Sequence, residues 1–591
     1  MVMNKIILSS NIYDYFGNVL YAINDFQKAN KKVYSVCGIK EFFPTNDDYI
    51  KVKERITSNQ NLVKEDSRIE YGDFQTPASL AELTIKRVLK NNKLPNVIIE
   101  PTCGKGVFIL AALKQINNYA RYYCIEIYKP YIWIAKFTIL EYFLSNPDRI
   151  VPHIEFIHQS IFEINFKEII EIKNNDFLLI LGNPPWVTNS QLGLLNSDNL
   201  PQKSNFKGHN GFDAITGKGN FDIAEYICLM LFNSFSNTNG IFAFLVKNIV
   251  VKNLINDQFK NNYKIGEMIQ FNFDAKKEFN VSADASLFFC KLNTNTSFQC
   301  LRTSIYSEDK NSDNYFGFVG EKFVSNVKLY DRHKMYDGKS PIIWRSGVKH
   351  DCSKIMDLEK INGHYLNQLN EKFELESDIV YGLLKSSDLK NIVIDNTRKY
   401  TIITQKKIGE DTSYIQKQFP NIYSYLINHK EYFSVRKSKI YNDKPPFSIF
   451  GIGSYSFTKY KVAISGLYKQ TKFTLLLPFN DKPMMVDDTC YFIGFDNIYD
   501  AIIILLALNH ESTQEFLNSL IFYDAKRIIT KDILMRIDLV EILNNIPYEY
   551  FEKSLKLDYS NLCGRITRSI FENTKKNISP VKAVKLQEEL F

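Results

Sequence analysis

The 591-residue sequence has no Cys-x-x-Cys pair and no Cys/His cluster. Its nine cysteines, Cys37, Cys103, Cys124, Cys228, Cys290, Cys300, Cys352, Cys490 and Cys563, are scattered, so neither a disulfide framework nor a structural zinc site is indicated. A reducing cytoplasm is the expected setting. The N-terminus lacks the apolar core of a signal peptide, and the apolar stretch 501–508 is too short to span a bilayer, so no membrane association is expected. There is no internal repeat and no strong charge excess. Lys and Arg number 73 against 65 Asp and Glu, a formal charge of +8, which suits approach to a polyanion and equally serves solubility. Hydrophobic residues at 45% and charged residues at 23% make a globular balance without extensive disorder. The length exceeds what one core organises, so two substantial domains are expected.

Residues 1–65 mix short apolar and polar runs and carry no recognisable signal. From about Tyr71 helix and strand patterns alternate: a helix Ser79–Leu89, a strand Asn96–Ile99, a helix after Gly106 and a strand Tyr122–Glu126. Further strands are expected at Ile154–Ile157, Phe177–Leu181, Ile241–Val246 and Leu287–Leu292, with a helix Asp222–Phe235 among them. Such alternation marks a parallel α/β sheet. The expected domains are therefore a Rossmann-like sheet over 66–295, an α+β domain over 296–555, and a helical tail over 556–591.

Three segments carry chemistry. After the first strand stands Glu100-Pro101-Thr102-Cys103-Gly104-Lys105-Gly106-Val107-Phe108, where glycines let the backbone turn tightly and approach a ligand at the carboxyl edge of the sheet. The next strand ends at Glu126, about twenty residues on, a spacing that lets a carboxylate accept both hydroxyls of a ribose. An isolated strand-end glutamate is more often merely solvated; the spacing argues for function. The third segment, Ile180-Leu181-Gly182-Asn183-Pro184-Pro185-Trp186, is an apolar strand opening into Asn-Pro-Pro-aromatic. Two prolines stiffen the loop, so the Asn183 side chain and the Pro184 carbonyl can act as preorganised acceptors for an amino group, with Trp186 as a stacking face.

The stretch Tyr71–Trp186 resembles the amino-methyltransferases that act on DNA. The order of parts (cofactor motif, catalytic motif, long C-terminal region) is similar to the gamma-class, Taq-type N6-adenine enzymes. That resemblance implies S-adenosyl-L-methionine as cofactor, held by Thr76 in Phe74-Gln75-Thr76-Pro77, by Glu100, Pro101, Cys103, Gly104, Gly106 and Phe108, by Glu126 on the ribose, and by Asn183. It implies catalysis by Asn183, Pro184, Pro185 and Trp186, with Phe279 as the second aromatic around an extruded base. Where the family places an aspartate on the cofactor's adenine, this chain has Ser160 in His158-Gln159-Ser160-Ile161-Phe162, a departure that leaves Ser160, Gln159 or a main-chain group for the contact. Phe279 as ordinary core stays an alternative.

The same resemblance makes the C-terminal region the reader of double-stranded DNA. Candidate contacts are Arg345, Lys349, Lys385, Arg436, Lys439 and Tyr455, with Lys203, Lys207 and Lys218 on a long polar loop after Leu192. His209 on that loop is expected to make a polar contact and not to bind metal; the reaction needs no metal. Methylation of RNA or of a protein glutamine is the alternative with the same tetrapeptide, and the long region after Leu292 favours DNA. N4 of cytosine is disfavoured because such enzymes usually begin the tetrapeptide with Ser. An inactive DNA-binding module and a combined restriction-modification enzyme also remain, although no Pro-Asp with Glu-x-Lys cluster stands before Tyr71. A separately encoded restriction endonuclease is compatible as a partner.

Overall fold

The computed structural model describes residues 8–58, 73–194, 221–307, 314–525, 527–558 and 561–579. They divide into two compact units, 1–323 and 324–591. No helix among the described residues is long and apolar enough to cross a membrane.

The first unit is built on one twisted sheet. Its strands are β1 (Ile39–Lys40), β2 (Val97–Glu100), β3 (Arg121–Glu126), β4 (His153–His158), β5 (Leu178–Gly182), β6 (Gly240–Lys247), β7 (Ile265–Phe273), β8 (Ala285–Leu292), β9 (Gln299–Ser304) and β10 (Tyr315–Val319). Their spatial order is β1-β4-β3-β2-β5-β6-β8-β7-β9-β10. The strands from β1 to β6 run parallel, and β8 pairs antiparallel with both β6 and β7. Both faces of the parallel part are covered. That is why β2, β5 and β6 read as continuous apolar runs such as Val97-Ile98-Ile99, without alternation. Chain order reverses between β2 and β5, the switch point where an open α/β sheet leaves a crevice at its carboxyl edge.

The N-terminal segment is part of this unit. Helix α1 (Phe26–Cys37) ends at Gly38, whose φ of 71° turns the chain into β1 beside β4; a Cβ there would lie 1.9 Å from the Pro152 carbonyl oxygen. Helix α2 (Ala78–Leu89) precedes β2, α3 (Val107–Gln115) follows it, and α4 (Lys129–Ser145) follows β3. Lys136 of α4 is buried and donates to the carbonyls of Glu41 and Phe42, both at 2.9 Å. Burial pushes its ammonium down to about 8. Phe42 meets Trp133 and Phe137 edge-on, so residues of the N-terminal segment complete the core.

The second unit holds two sheets among its described residues. One joins Arg345–Ser346, Cys490–Phe495, Tyr460–Ser465, Thr474–Leu476 and Val393–Ile394; the other includes Asp357–Ile361, Lys399–Ile402, Val380–Leu384 and Met485–Val486. The apolar stretch noted in the sequence is the helix Ile498–Asn509, buried from Ala501 to Leu508. The helix Arg568–Ile578 packs on it, Thr574 donating to Asp500 at 2.6 Å, so this part of the expected tail belongs to the unit's core.

The boundary expected at 295 falls inside the first sheet. β7, which shows no clean alternation in sequence, pairs in parallel with β9, and β9 pairs with β10, burying Cys300 and Phe316. A fragment ending at 295 therefore leaves β7 as a bare edge, an invitation to association. Fragment 1–323 is expected to be soluble and to unfold cooperatively, and fragment 1–295 to aggregate; size-exclusion chromatography of both distinguishes the cases.

Candidate active site

At the switch point the ends of β2, β3 and β5 surround a cavity, closed on one side by the segment Asp73–Thr76 and on another by Ile223 and Ile227 of helix α5 (Ile223–Phe235). Gly104 has φ 53°, and a Cβ on it would stand 3.4 Å from the Gln75 side chain, so only glycine lets the turn face the cavity unstrained. The Gly104 N–H donates to Glu126 Oε2 and the Tyr128 N–H to Glu126 Oε1, each at 2.8 Å. The Glu126 carboxylate is thus fixed in the wall by two backbone bonds, within the roughly four acceptor sites of a carboxylate.

Glu100 lies deeper. It is 2% exposed, lines the cavity, and its Oε2 has no hydrogen-bond partner in the protein. Burial pushes its carboxyl well above the ordinary carboxylate range, with Cys124 and Glu126 pushing the same way. The low-dielectric setting therefore favours the neutral form of this carboxyl.

Asn183, at the end of β5, is anchored through its side-chain nitrogen: Nδ2 donates to the Phe74 carbonyl at 2.8 Å and to Thr76 Oγ1 at 3.3 Å. A carbonyl can only accept, so this contact decides which amide atom points where. Oδ1 is left buried without a protein partner. Two acceptor oxygens, Glu100 Oε2 and Asn183 Oδ1, are therefore buried unsatisfied among the residues of one cavity. Such atoms cost about 1–3 kcal/mol each unless a ligand supplies a donor.

Several expected positions differ from this picture. Ser160 does not line the cavity; it is buried and its hydroxyl accepts from the Phe162 N–H at 3.3 Å, capping a short turn, while its neighbours Gln159, Ile161 and Phe162 do face the cavity. Gly106 does not line it either. Its φ is 74° and a Cβ would meet Ala135 at 2.8 Å, so this glycine lets α3 pack against α4. Pro185 lines the cavity but Pro184 is buried beside it. Trp186 is 6% exposed and presents no open face: its indole N–H donates to the Leu245 carbonyl at 3.2 Å, and its ring meets Phe279 edge-on at 5.2 Å and Phe74 at 6.0 Å. Thr76, Pro101, Cys103 and Phe108 stand in the cavity wall as expected from their motifs.

The DNA-contact candidates also sort. Lys203, Lys207 and Lys218, with His209, lie outside the described residues. The Arg345 guanidinium lies over the Tyr455 ring at 4.6 Å, joining two candidates that the sequence placed far apart. Arg436 is committed to the fold: it stacks on Tyr441 at 3.6 Å and donates to the Ser448 carbonyl at 2.7 Å. Lys439 is exposed, whereas Lys349 and Lys385 line one cavity of the second unit.

One pair has no sequence signal at all. Lys247, at the end of β6, forms an ion pair with Asp222 and donates to the Trp186 carbonyl at 3.4 Å. Asp222 caps α5 by accepting from the Ala224 N–H at 3.1 Å, and its backbone bridges to Thr188. Only the folding of β6 beside β5 brings Lys247 to the tetrapeptide.

With this geometry in hand, comparison with known proteins decides the family. Residues 61–266 match the model of the N-6 DNA methylases. The chain is 38% identical over 485 residues to the type II methyltransferase M.NspV from a Nostoc species, covering 82% of this chain and 98% of that protein. The chain belongs to the N-6 DNA methylases. Among solved structures, the type IIL restriction-modification enzyme MmeI in complex with DNA aligns with 87% of this chain and 76% of its own, at 12% identity and a TM-score of 0.47. The methyltransferase subunit of a type I restriction-modification system from Streptococcus thermophilus aligns at 15% identity, over 44% of this chain and 53% of its own, with a TM-score of 0.28.

As an N-6 DNA methylase the chain uses S-adenosyl-L-methionine, and the cavity fits it. The unsatisfied Glu100 Oε2 suits a ligand that brings a hydrogen-bond donor, and the Glu126 carboxylate suits a diol.

The Glu100 carboxyl yields a pH test. A folded-state value raised above the unfolded one contributes stability that is fully present below the unfolded value and is lost as pH rises towards the folded one. Glutamine mimics the neutral form and does not titrate. The melting temperature of Glu100→Gln without cofactor should therefore gain on the native protein as pH rises from about 5 to about 8, and match it near pH 4. Differential scanning fluorimetry across that range reads the difference, and a pH-independent offset would assign Glu100 an ionised state throughout.

Proposed function

We propose that this chain methylates N6 of one adenine within a specific duplex DNA sequence after extruding that base from the stack. The observation that carries the reading is the state of Asn183, a residue of the cofactor cavity: its nitrogen is held by Phe74 and Thr76, and its oxygen is a buried acceptor without a protein partner. An adenine amine has two hydrogens to donate. A preorganised acceptor that takes one of them, with the Pro184 carbonyl taking the other, raises electron density on a nitrogen that is otherwise a poor nucleophile. When bound, S-adenosyl-L-methionine supplies the electrophilic sulfonium methyl group.

The remaining residues position and exclude. Thr76, Glu100, Pro101, Cys103, Gly104 and Phe108 shape the cofactor cavity, and Glu126 takes the ribose. Phe279 is half-buried and Trp186 nearly fully buried, and their rings stand at 64° to each other. No parallel slot exists between them, so a planar base enters by rotation of Phe279, the ring with room to move. The second unit supplies target recognition, with Arg345, Lys349, Lys385, Lys439 and Tyr455 among its DNA-facing groups. Likeness to a type II methyltransferase supports a restriction-modification setting with a separately encoded endonuclease.

Asn183→Ala should lower the rate of methyl transfer about 100-fold, the cost of a lost preorganised acceptor, while leaving cofactor affinity within a few fold. Glu126→Ala should show the converse, a loss of cofactor affinity by calorimetry. Equal loss of cofactor binding in both variants would remove Asn183 from the target amine. Fragment 1–323 should bind cofactor without discriminating target from unrelated duplex at equal salt; retained discrimination would move recognition out of the second unit.

A further inference from the structure

The second unit contains a cavity of about 710 Å3. Beneath it four backbone segments meet. The Val348 N–H donates to the Val486 carbonyl at 2.7 Å, Lys349 and Phe450 exchange bonds at 2.8 Å, and the Asp487 N–H donates to Leu384 at 3.0 Å. Two glycines make this approach possible. A Cβ on Gly347 would stand 2.0 Å from the Val486 oxygen, and one on Gly451, at φ 68°, would stand 2.0 Å from the Gly347 oxygen. Side chains rooted in these segments are held rigidly.

Those side chains are charged and ordered. The Cys352 N–H donates to His350 Nδ1 at 3.1 Å, which leaves the imidazole proton on Nε2, facing Asp357 Oδ1 at 3.2 Å. Asp357 Oδ2 accepts from Gln368 at 3.3 Å and from the Lys385 ammonium. Burial would raise the Asp357 carboxyl, and the contacts from His350 and Lys385 hold it below its ordinary range instead. Lys385 is thereby fixed by one of its three donors and presents the others. Across from it, Asp487 Oδ1 accepts from the Thr489 N–H at 3.1 Å and from the Thr489 hydroxyl at 2.5 Å, which fixes a second carboxylate.

Four cationic and four acidic side chains line this cavity. The balance bears on the ligand. The carboxylates oppose a phosphate, and the ammonium and guanidinium groups oppose a metal ion, so the complementary partner offers neutral acceptors and donors side by side. A base-pair edge does this. In the major groove a G·C pair shows the acceptors N7 and O6 of guanine, which lysine reads, beside the N4 amine of cytosine, which aspartate accepts.

We propose that this cavity reads one G·C pair of the target sequence, Lys385 and Lys349 donating to guanine and Asp487 accepting from cytosine. The inference rests on the reading of the second unit as the recognition region. Partly buried ion networks contribute little net stability, which is consistent with a role for this one in specificity.

The full-length protein and its Lys385→Met, Lys349→Met and Asp487→Asn variants would be expressed in cells lacking other adenine methylation, and the methylated sites mapped by sequencing genomic DNA. Lys349 lies outside the buried His350–Asp357–Lys385 network, so its variant tests the idea even where Lys385→Met fails to fold. The expected result is one motif for the native protein, with every folded variant relaxing the same G·C position about tenfold. An unchanged motif in the folded variants overturns the inference. So does uniform weakening at all sites with a salt slope lower by about one, which would make the lysines phosphate contacts. Sequence discrimination by fragment 1–323 would instead sink the broader recognition reading, so the two failures are told apart.

Discussion

The hydrogen bond from Asn183 Nδ2 to the Phe74 carbonyl is the contact on which the site depends. It ties the end of β5 to the segment before α2, two pieces separated by 109 residues, across the mouth of the cofactor cavity. It also settles which end of the amide is used up. A side-chain amide carries two donors and an acceptor, and spending the donors on Phe74 and Thr76 leaves the acceptor for a ligand. Were the amide reversed, oxygen would face carbonyl oxygen, and the buried repulsion would open the segment that closes the cavity. One bond therefore serves both the shape of the cofactor site and the polarity of the proposed amine site.

The cavity wall has a consistent electrostatic character. Its buried oxygens without a protein partner belong to Glu100 and Asn183, and the carboxylate of Glu126 stands in the same wall. A wall of ionised carboxylates would be hard to keep dry, and burial answers this by favouring the neutral form of Glu100 while two backbone N–H groups hold Glu126. The same two carboxyl groups, on adjacent strand ends, are thus pushed to different tasks by environment alone.

How much of this was legible in the sequence follows from which interactions are local. The strands β2, β3 and β5 are buried on both faces, so their apolar runs locate them within a residue or so, and the glycine turn and Asn-Pro-Pro-Trp follow them directly. Glycine identity was legible, but glycine purpose was not: Gly104 faces the cavity, whereas Gly106 makes room for Ala135, a residue brought near only by packing. Ser160 shows the same limit. It occupies the expected strand-end position, where its hydroxyl accepts from the Phe162 N–H, while the neighbours face the cavity. The N-terminal segment was illegible because its anchor, Lys136, looks like any helix-surface lysine until Glu41 and Phe42 close over it. The extension of the sheet to β10 was hidden because its edge strands are short and partly exposed.

The Lys247–Asp222 pair shows how a long-range contact can matter to a motif that looks self-contained. Burial outweighs the attraction of Lys247 and keeps the Asp222 carboxyl above its ordinary range, so the pair is a poor source of stability. What it supplies is position. Lys247 donates at once to Asp222, at the start of α5, and to the Trp186 carbonyl, at the last residue of the tetrapeptide. The backbone reinforces this, with the Ile223 N–H on the Val187 carbonyl at 2.9 Å and the Asn189 N–H on the Phe221 carbonyl at 3.0 Å. The tetrapeptide is therefore held from both sides, by Phe74 and Thr76 at Asn183 and by Lys247 at Trp186. The two prolines between stiffen what the clamps position. Asn-Pro-Pro-Trp presents a defined acceptor because its flanks are fixed by residues that no local pattern reveals.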